Sequence, residues 1–475
     1  MNKIKIISYT AAAILCLVIA AGLMTDTSES SAASHKDSIY CGDSAFISTV
    51  KKLTSAGGKT DLSGGRTFYV STDGSDDQPG TAAEPFATFK HALSRLSPGS
   101  TLYIKGGTYT EPLNIGSSAG GSAGRYITIA GAPGEKAVLS GSGRRSVLAS
   151  INGASYIRIS GLDFYDADGQ DSCGINVAPG ASHIIIDNCE IHDIRVPDPA
   201  GEDHCANCIL MEGSSSTRSI NNVLVYKNNM HDCSTGWSEC LSVTGNTKYI
   251  NAVGNTICRT GNIGIDLSGN YGYCRRASVD FPRHCLIYKN RVSRCVSAYG
   301  DTAYGIYTDG GQYIRISRNR IERCSGGIEA GAERKAGNIK YAAGHIIISS
   351  NTLAGNTDNA ITVGGWKRSL GWVQDVYIAR NNCVDNGVGN AVFTLSKCRR
   401  IHVRSNRFCN TGGHADVVYA PFSEKYTGHI YFKNNIYCNG GSSKNTDFVW
   451  HGREYDSFAK WKKASADRGG RYGGR

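Results

Sequence analysis

The sequence predicts an all-β solenoid, in which short strands stack coil upon coil, and three observations predict it. From about residue 155 one unit recurs: an alternating strand, an asparagine, a second short strand, a polar turn, then Gly-Ile-x-x-x-Gly. Period-2 alternation broken by Gly and Asn turns is the pattern of strands. No sustained 3.6-residue apolar pattern lies between the copies, which disfavours a βαβ architecture.

The elements follow in chain order. Lys3 and Lys5 precede an apolar stretch from Ile6 to Met24, and Ser31-Ala32-Ala33 offers small residues for cleavage. Residues 1–33 therefore read as a signal peptide or an uncleaved N-terminal anchor, and both place the rest of the chain outside the cytoplasm. Residues 34–66 read as a linker or N-terminal extension, and residues 67–440 as the solenoid. Residues 441–475 hold a short amphipathic helix, Ser457 to Lys463, expected to cap the last coil. The Gly/Arg-rich tail Arg468 to Arg475 is expected to be disordered.

Strand openings are marked by Ile184-Ile185-Ile186, Val223-Leu224-Val225 and Leu286-Ile287-Tyr288, and by Ile314-Arg315-Ile316. The asparagines that follow the openings are Asn188, Asn228, Asn255, Asn290, Asn319, Asn351, Asn381, Asn406 and Asn434, mostly 25–35 residues apart. Asparagine at such a turn can take a left-handed conformation and hydrogen-bond its neighbours above and below. A solenoid needs no separate globular cores, so 475 residues fit one domain. The 58 glycines punctuate turns, and the 10 prolines are few because continuous ladders exclude proline. Collagen, disorder and a long coiled coil are excluded by composition.

Seventeen cysteines become sixteen once Cys16 leaves with the signal, and an even number in an exported chain favours disulfides. Coils about 4.8 Å apart lie within reach of such a bond. Cys233, Cys295 and Cys324 each fall five residues after a ladder asparagine, so they either bridge coils or line the core as free thiols. Cys274 and Cys285 bracket an Arg-rich insertion and read as a loop staple. His204-Cys205-Ala206-Asn207-Cys208 has one zinc-like spacing, but no second pair follows.

Phe68 to Thr81, Glu84-Pro85-Phe86-Ala87-Thr88, the helix-like Lys90 to Leu96 and Pro98 to Ile104 resemble the opening segment of exported members of the pectate-lyase-like superfamily. That resemblance implies a right-handed parallel β-helix whose first coils carry a short helical cap. It implies carbohydrate chemistry only loosely, because the coil carries lyases, hydrolases, epimerases and binding proteins.

Alignment of the Gly-Ile strands gives two outward columns. The first reads Asn176, Leu210, Ser242, Asp266, Tyr307, Glu329, Thr362 and Phe393; the second holds Glu212, Thr244, Ser268, Asp309 and Gly331. Acidic groups thus gather at Glu212, Asp266, Asp309 and Glu329, with Glu333 beyond. Asp266 to Asp309 and Asp309 to Glu329 are each roughly 8 Å apart at the backbone. That fits the separation in an inverting glycosidase, and the same carboxylates suit Ca²⁺. Tyr307 is expected to stack on a sugar. Arg275, Lys335 and Lys340 on insertions, with Trp366, Lys367 and Trp372 beyond the next coil, could wall the groove.

Three functions compete. In a lyase acting on an acidic polysaccharide, Asp266, Asp309 and Glu329 would hold Ca²⁺ while Lys335 or Arg275 serves as base. Asp309 and Glu329 remain catalytic in that reading, and Glu333, Tyr307, Trp366 and Lys367 bind substrate. A net charge of +11 fits a polyanion. The second function is a glycoside hydrolase with Asp309, Glu329 or Asp266 as acid and base. The third is a non-catalytic glycan-binding surface protein. Export argues against nucleic acid as a partner, and a monomer is expected.

Overall fold

The computed structural model describes residues 39–58, 61–62, 64–143, 147–201, 204–300, 303–334, 343–387, 390–412, 416–440 and 447–473. The signal or anchor segment, Cys16, Lys335 and Lys340 lie outside them. Tyr40–Arg475 forms one compact unit. It is a parallel β-helix of three sheets, each of 13 strands. We call them A, B and C in the order a coil visits them, as in Ser182–Asp187, Glu190–Arg195 and Ala206–Gly213.

Alternation decides what each strand buries. In sheet C, Ile265, Ile306, Ile328 and Ile361 pair in register and point into one continuous core. Each fully buried side chain of this size contributes about 1.5–3 kcal/mol. Phe393 continues this inward row opposite Ile361, so the outward residue of that coil is Thr394 and not Phe393.

The A–B corner has the same form in eight coils: one residue in the left-handed region, then a buried asparagine. The pairs run from Lys227-Asn228 through Gly254-Asn255, Lys289-Asn290, Arg318-Asn319, Ser350-Asn351, Arg380-Asn381 and Ser405-Asn406 to Asn434-Asn435. The left-handed residue is the one before the ladder asparagine, which corrects the expected assignment. Asn188 and Asn434 are accordingly turn residues, and the last rung is Asn435. Asn319 shows the bonding: its Oδ1 accepts from the backbone N–H and Nδ2 of Asn290. Its own Nδ2 donates to Ile287 O and Asn351 Oδ1, each at 3.0 Å. A shorter ladder, Asn356 to Asn386, runs along the B–C corner. This tight A–B corner pushes variation in coil length to the two corners that flank sheet C.

Both ends are closed by helices. Helix α1, Ser44–Ser55, is capped by Asp43, whose Oδ1 accepts from Phe46 N at 2.9 Å. Phe46, Val50 and Leu53 line one helical face and bury outward residues of sheet A, Ile185, Leu224 and Leu286. The expected linker is thus a docked helix, because those outward positions are apolar and need cover. Helix α2, Phe89–Arg95, seals the first coils with Phe89, Ala92 and Leu93. Helix α3, Phe458–Ser465, buries Trp461 against Tyr437 and Phe448 at the other end. The tail expected to be disordered adds a further rung: Arg471 and Tyr472 pair with Ile436 and Tyr437.

The cysteines divide. Cys409–Cys438 bridges adjacent coils. Cys233, Cys295 and Cys324 are buried free thiols, with Cys233 Sγ 3.3 Å from Cys208 Sγ. Cys274 and Cys285 are not joined, which corrects the staple: Cys274 Sγ donates to Gly213 O at 2.9 Å. The His204 to Cys208 segment does not converge as a ligand set, since His204 Nδ1 bonds Asp198 O.

Candidate active site

The outer face of sheet C gathers the carboxylates. Asp266 pairs with Tyr307, and Tyr307 with Glu329, so these three form one outward column over three coils. Asp309 stands two residues along the Tyr307 strand, paired with Gly331. Asp266, Asp309 and Glu329 are all buried, at 3%, 1% and 8% exposure. Outward-facing strand residues become buried here because loops from both flanking corners close over them.

One wall is the insertion between Ser268 and Arg283. Asp280 shapes it, accepting backbone N–H bonds from Gly272 at 2.7 Å and Cys274 at 2.9 Å. This folding carries Tyr271 over the floor, where its hydroxyl donates to Asp309 Oδ2 and lies 3.2 Å from Glu333 Oε2. Arg334 covers the other side of that ring, 4.9 Å from its centroid. At the B–C corner, Trp237 and Tyr299 stack at 3.8 Å with parallel planes, and Trp237 remains 41% exposed.

The carboxylates are held differently. Asp309 is pushed up to about 7 by burial and by the charge of Glu333, against two donors that favour its ionised form, Tyr271 Oη and Glu333 N at 2.7 Å. Burial first, then Glu333 and Asp309, drives Glu329 well above the usual carboxylate range. Asp266 is raised by burial and then by Glu239 and Asp309, and its Oδ1 has no hydrogen-bond partner. Glu239, at the corner preceding the Leu241 strand, is raised by burial as well. The site thus pairs a carboxyl that ionises near neutrality with Asp266 and Glu329, both raised well above the usual carboxylate range, the condition for dividing acid and base roles.

The sequence-derived candidates separate into groups. Asp266, Tyr307, Asp309, Glu329 and Glu333 come together. Tyr307 is buried, so its ring is not a stacking platform; its hydroxyl faces Glu333 Oε1 at 3.4 Å. A Cβ on Gly331 would lie 2.6 Å from that hydroxyl and 2.9 Å from Glu329 Oε1, so glycine is what lets both side chains fold over this strand. Arg275 is exposed beside Cys274 and Arg276, which bond Gly213 and Ser216. Those residues lie three coils, roughly 14 Å, from the Asp309 strand. Trp366 is 60% exposed at the next coil's rim, with Lys367 Nζ 3.8 Å from its ring centroid. Glu239, Tyr271 and Trp237 were missed. They lie on corners, outside the strand alignment that reveals the columns.

The three-sheet parallel coil places this chain in a class, the pectate-lyase-like parallel β-helix proteins. Residues 68–236 match the Pel9A-like, right handed beta helix region. The chain belongs to the same family as the uncharacterized protein YwoF of Bacillus subtilis (strain 168), with 30% identity over 416 residues, 84% of this chain and 85% of that protein. Pectate lyase PEL9 of Emericella nidulans is 38% identical over 74 residues, 16% of this chain and 18% of that enzyme. The GH136 lacto-N-biosidase of Eubacterium ramulus shares the fold at 13% identity, with a TM-score of 0.58 over 83% of this chain and 69% of that one. No helix among the described residues is long and apolar enough to cross a membrane.

Proposed function

We propose that the protein is an exported glycoside hydrolase acting on a glycan laid across sheet C. The observation that carries this reading is the Asp309–Glu329 pair on adjacent coils. Asp309, stabilised as a carboxylate by Tyr271 Oη and Glu333 N, is suited to activate water. Glu329, buried and protonated, is suited to protonate the departing glycosidic oxygen. Their backbones are one coil and two residues apart, roughly 8 Å. Tyr307 and Gly331 position Glu329, and Trp237 and Trp366 offer exposed rings to sugars. The carboxylate of Asp309, the ionising member of the floor, disfavours a polyanion there, so a neutral glycan is the better substrate.

A second reading, lyase action on an acidic polysaccharide, is favoured by one observation, the unpartnered Oδ1 of Asp266. Asp266, Asp309 and Glu329 would then hold Ca²⁺, which would neutralise a uronate carboxylate. Incubation with neutral and uronate glycans, with and without EDTA, separates the two. Reducing ends that appear without unsaturated-uronate absorbance and survive EDTA support hydrolysis. Unsaturated products abolished by EDTA overturn it, and no cleavage across the panel leaves binding.

A further inference from the structure

A second cluster lies on the outer face of sheet B, away from the carboxylates of sheet C. Glu190 pairs with Asp163 of the preceding coil, and His192 pairs with His231 of the following one. His192 Nε2 lies 3.1 Å from Asp163 Oδ1, and His231 Nε2 lies 3.1 Å from Glu190 Oε1. One donor atom from each of Asp163, Glu190 and His192 falls within 4.8 Å of the other two. The two imidazoles are stacked, with centroids 5.0 Å apart and planes 9° from parallel, so both Nε2 atoms lie toward the carboxylate column.

The other ring nitrogen of each histidine is also engaged by a carboxylate. His192 Nδ1 is 2.7 Å from Asp193 Oδ2, and His231 Nδ1 is 2.6 Å from Asp232 Oδ2. A neutral imidazole has a single N–H. With Nδ1–H donated to the aspartate, each Nε2 lone pair faces a carboxylate oxygen, an opposition that only a proton or a cation between them relieves. Two protons would place two imidazolium rings face to face. One divalent ion between His192 Nε2 and the carboxylates of Asp163 and Glu190 relieves the opposition there and leaves that ring neutral. Aspartate behind the far nitrogen is also how metal-binding histidines are oriented and made more basic. A cation already visits the site: Lys136 Nζ, on a side chain 68% exposed, lies 2.7 Å from Asp163 Oδ2 and 4.0 Å from Glu190 Oε2.

We propose that Asp163, Glu190 and His192 form a site for a divalent transition metal, Zn²⁺ by its chemistry, that clips two successive coils of sheet B, with His231 holding Glu190 from the third. One imidazole nitrogen and two carboxylate oxygens give three protein ligands, a set that suits Zn²⁺ with water in the fourth position. The inference stands apart from the proposed glycan chemistry, and its test does not read activity.

The full-length mature chain is stripped with EDTA and titrated with Zn²⁺, and with Co²⁺ as a spectroscopic probe. The expected result is one ion per chain, visible d–d bands of tetrahedral Co²⁺ that Zn²⁺ abolishes, and a rise in thermal midpoint. His192→Gln removes the Co²⁺ bands, His231→Gln weakens binding by freeing Glu190, and Asp193→Asn weakens Zn²⁺ binding by about tenfold or more. Lys136→Ala, at an exposed position that keeps the fold, tightens binding several-fold because a competing cation is gone. No saturable binding, six-coordinate Co²⁺ bands, or Zn²⁺ affinity unchanged in Lys136→Ala overturns the proposal.

Discussion

The Tyr271 hydroxyl, carried by a loop, donates its hydrogen bond to Oδ2 of Asp309, which is carried by the wall of the solenoid. The bond joins the variable part of the molecule to its regular part. Removing the donor alone, in Tyr271→Phe, leaves the ring in place and takes away one of the two hydrogen-bond donors that favour the Asp309 carboxylate. The acid limb of the pH–rate profile should move to higher pH by about one unit. A limb that stays where it was would exclude Asp309 as the ionising base.

Asp309→Asn and Glu329→Gln should each lower kcat by about 10²–10⁴-fold and stabilise the fold above neutral pH. Asp309 is raised from 3.8 to about 7, so the stability of its protonated form is complete below about pH 4 and fades as pH rises through about 7. Melting curves at about pH 5 and about pH 8 should differ less in Asp309→Asn than in the parent.

Gly331→Ala places a methyl against the Tyr307 hydroxyl and Glu329 Oε1 while leaving the strand ladder intact. Circular dichroism should be unchanged and kcat lower by about 10²-fold. Parent-like activity would mean that Glu329 is not held in its working position by this contact.

Asn319→Ala breaks four buried hydrogen bonds and strands its neighbours' polar groups. Urea unfolding should report a loss of about 3 kcal/mol or more, far beyond a typical surface substitution.

Trp461→Ala opens a cavity among Tyr437, Phe448 and Phe458 in the terminal cap. A loss of about 3–5 kcal/mol is expected, with aggregation as the last coil's edges become available for pairing. Light scattering during a thermal ramp checks both.

The solenoid was legible because each coil restates the same alternation. Ile306, Ile328 and Ile361 declare an inner face, and counting three residues along from Ile306 finds the outward Asp309. That rule fails where a coil changes length, as at Phe393, read one residue out of step. It is silent on corners, so Glu239, Tyr271 and Trp237 stayed hidden. Pattern also reports direction but not cover: Tyr307 points outward as expected, yet the insertion from the preceding coil buries it. Helix α1 escaped notice for the converse reason, since its three apolar residues are meaningful only beside Ile185, Leu224 and Leu286.

The two-residue asparagine corner acts as a metronome. It restarts every coil at the same phase however long the previous one ran, whether 25 residues between Asn381 and Asn406 or 35 between Asn255 and Asn290. A loop beside sheet C can therefore be lengthened, exchanged or deleted without shifting the carboxylates above or below it. Relatives of this chain are free to diverge in substrate by rewriting those loops alone, while the beat that aligns the wall stays fixed.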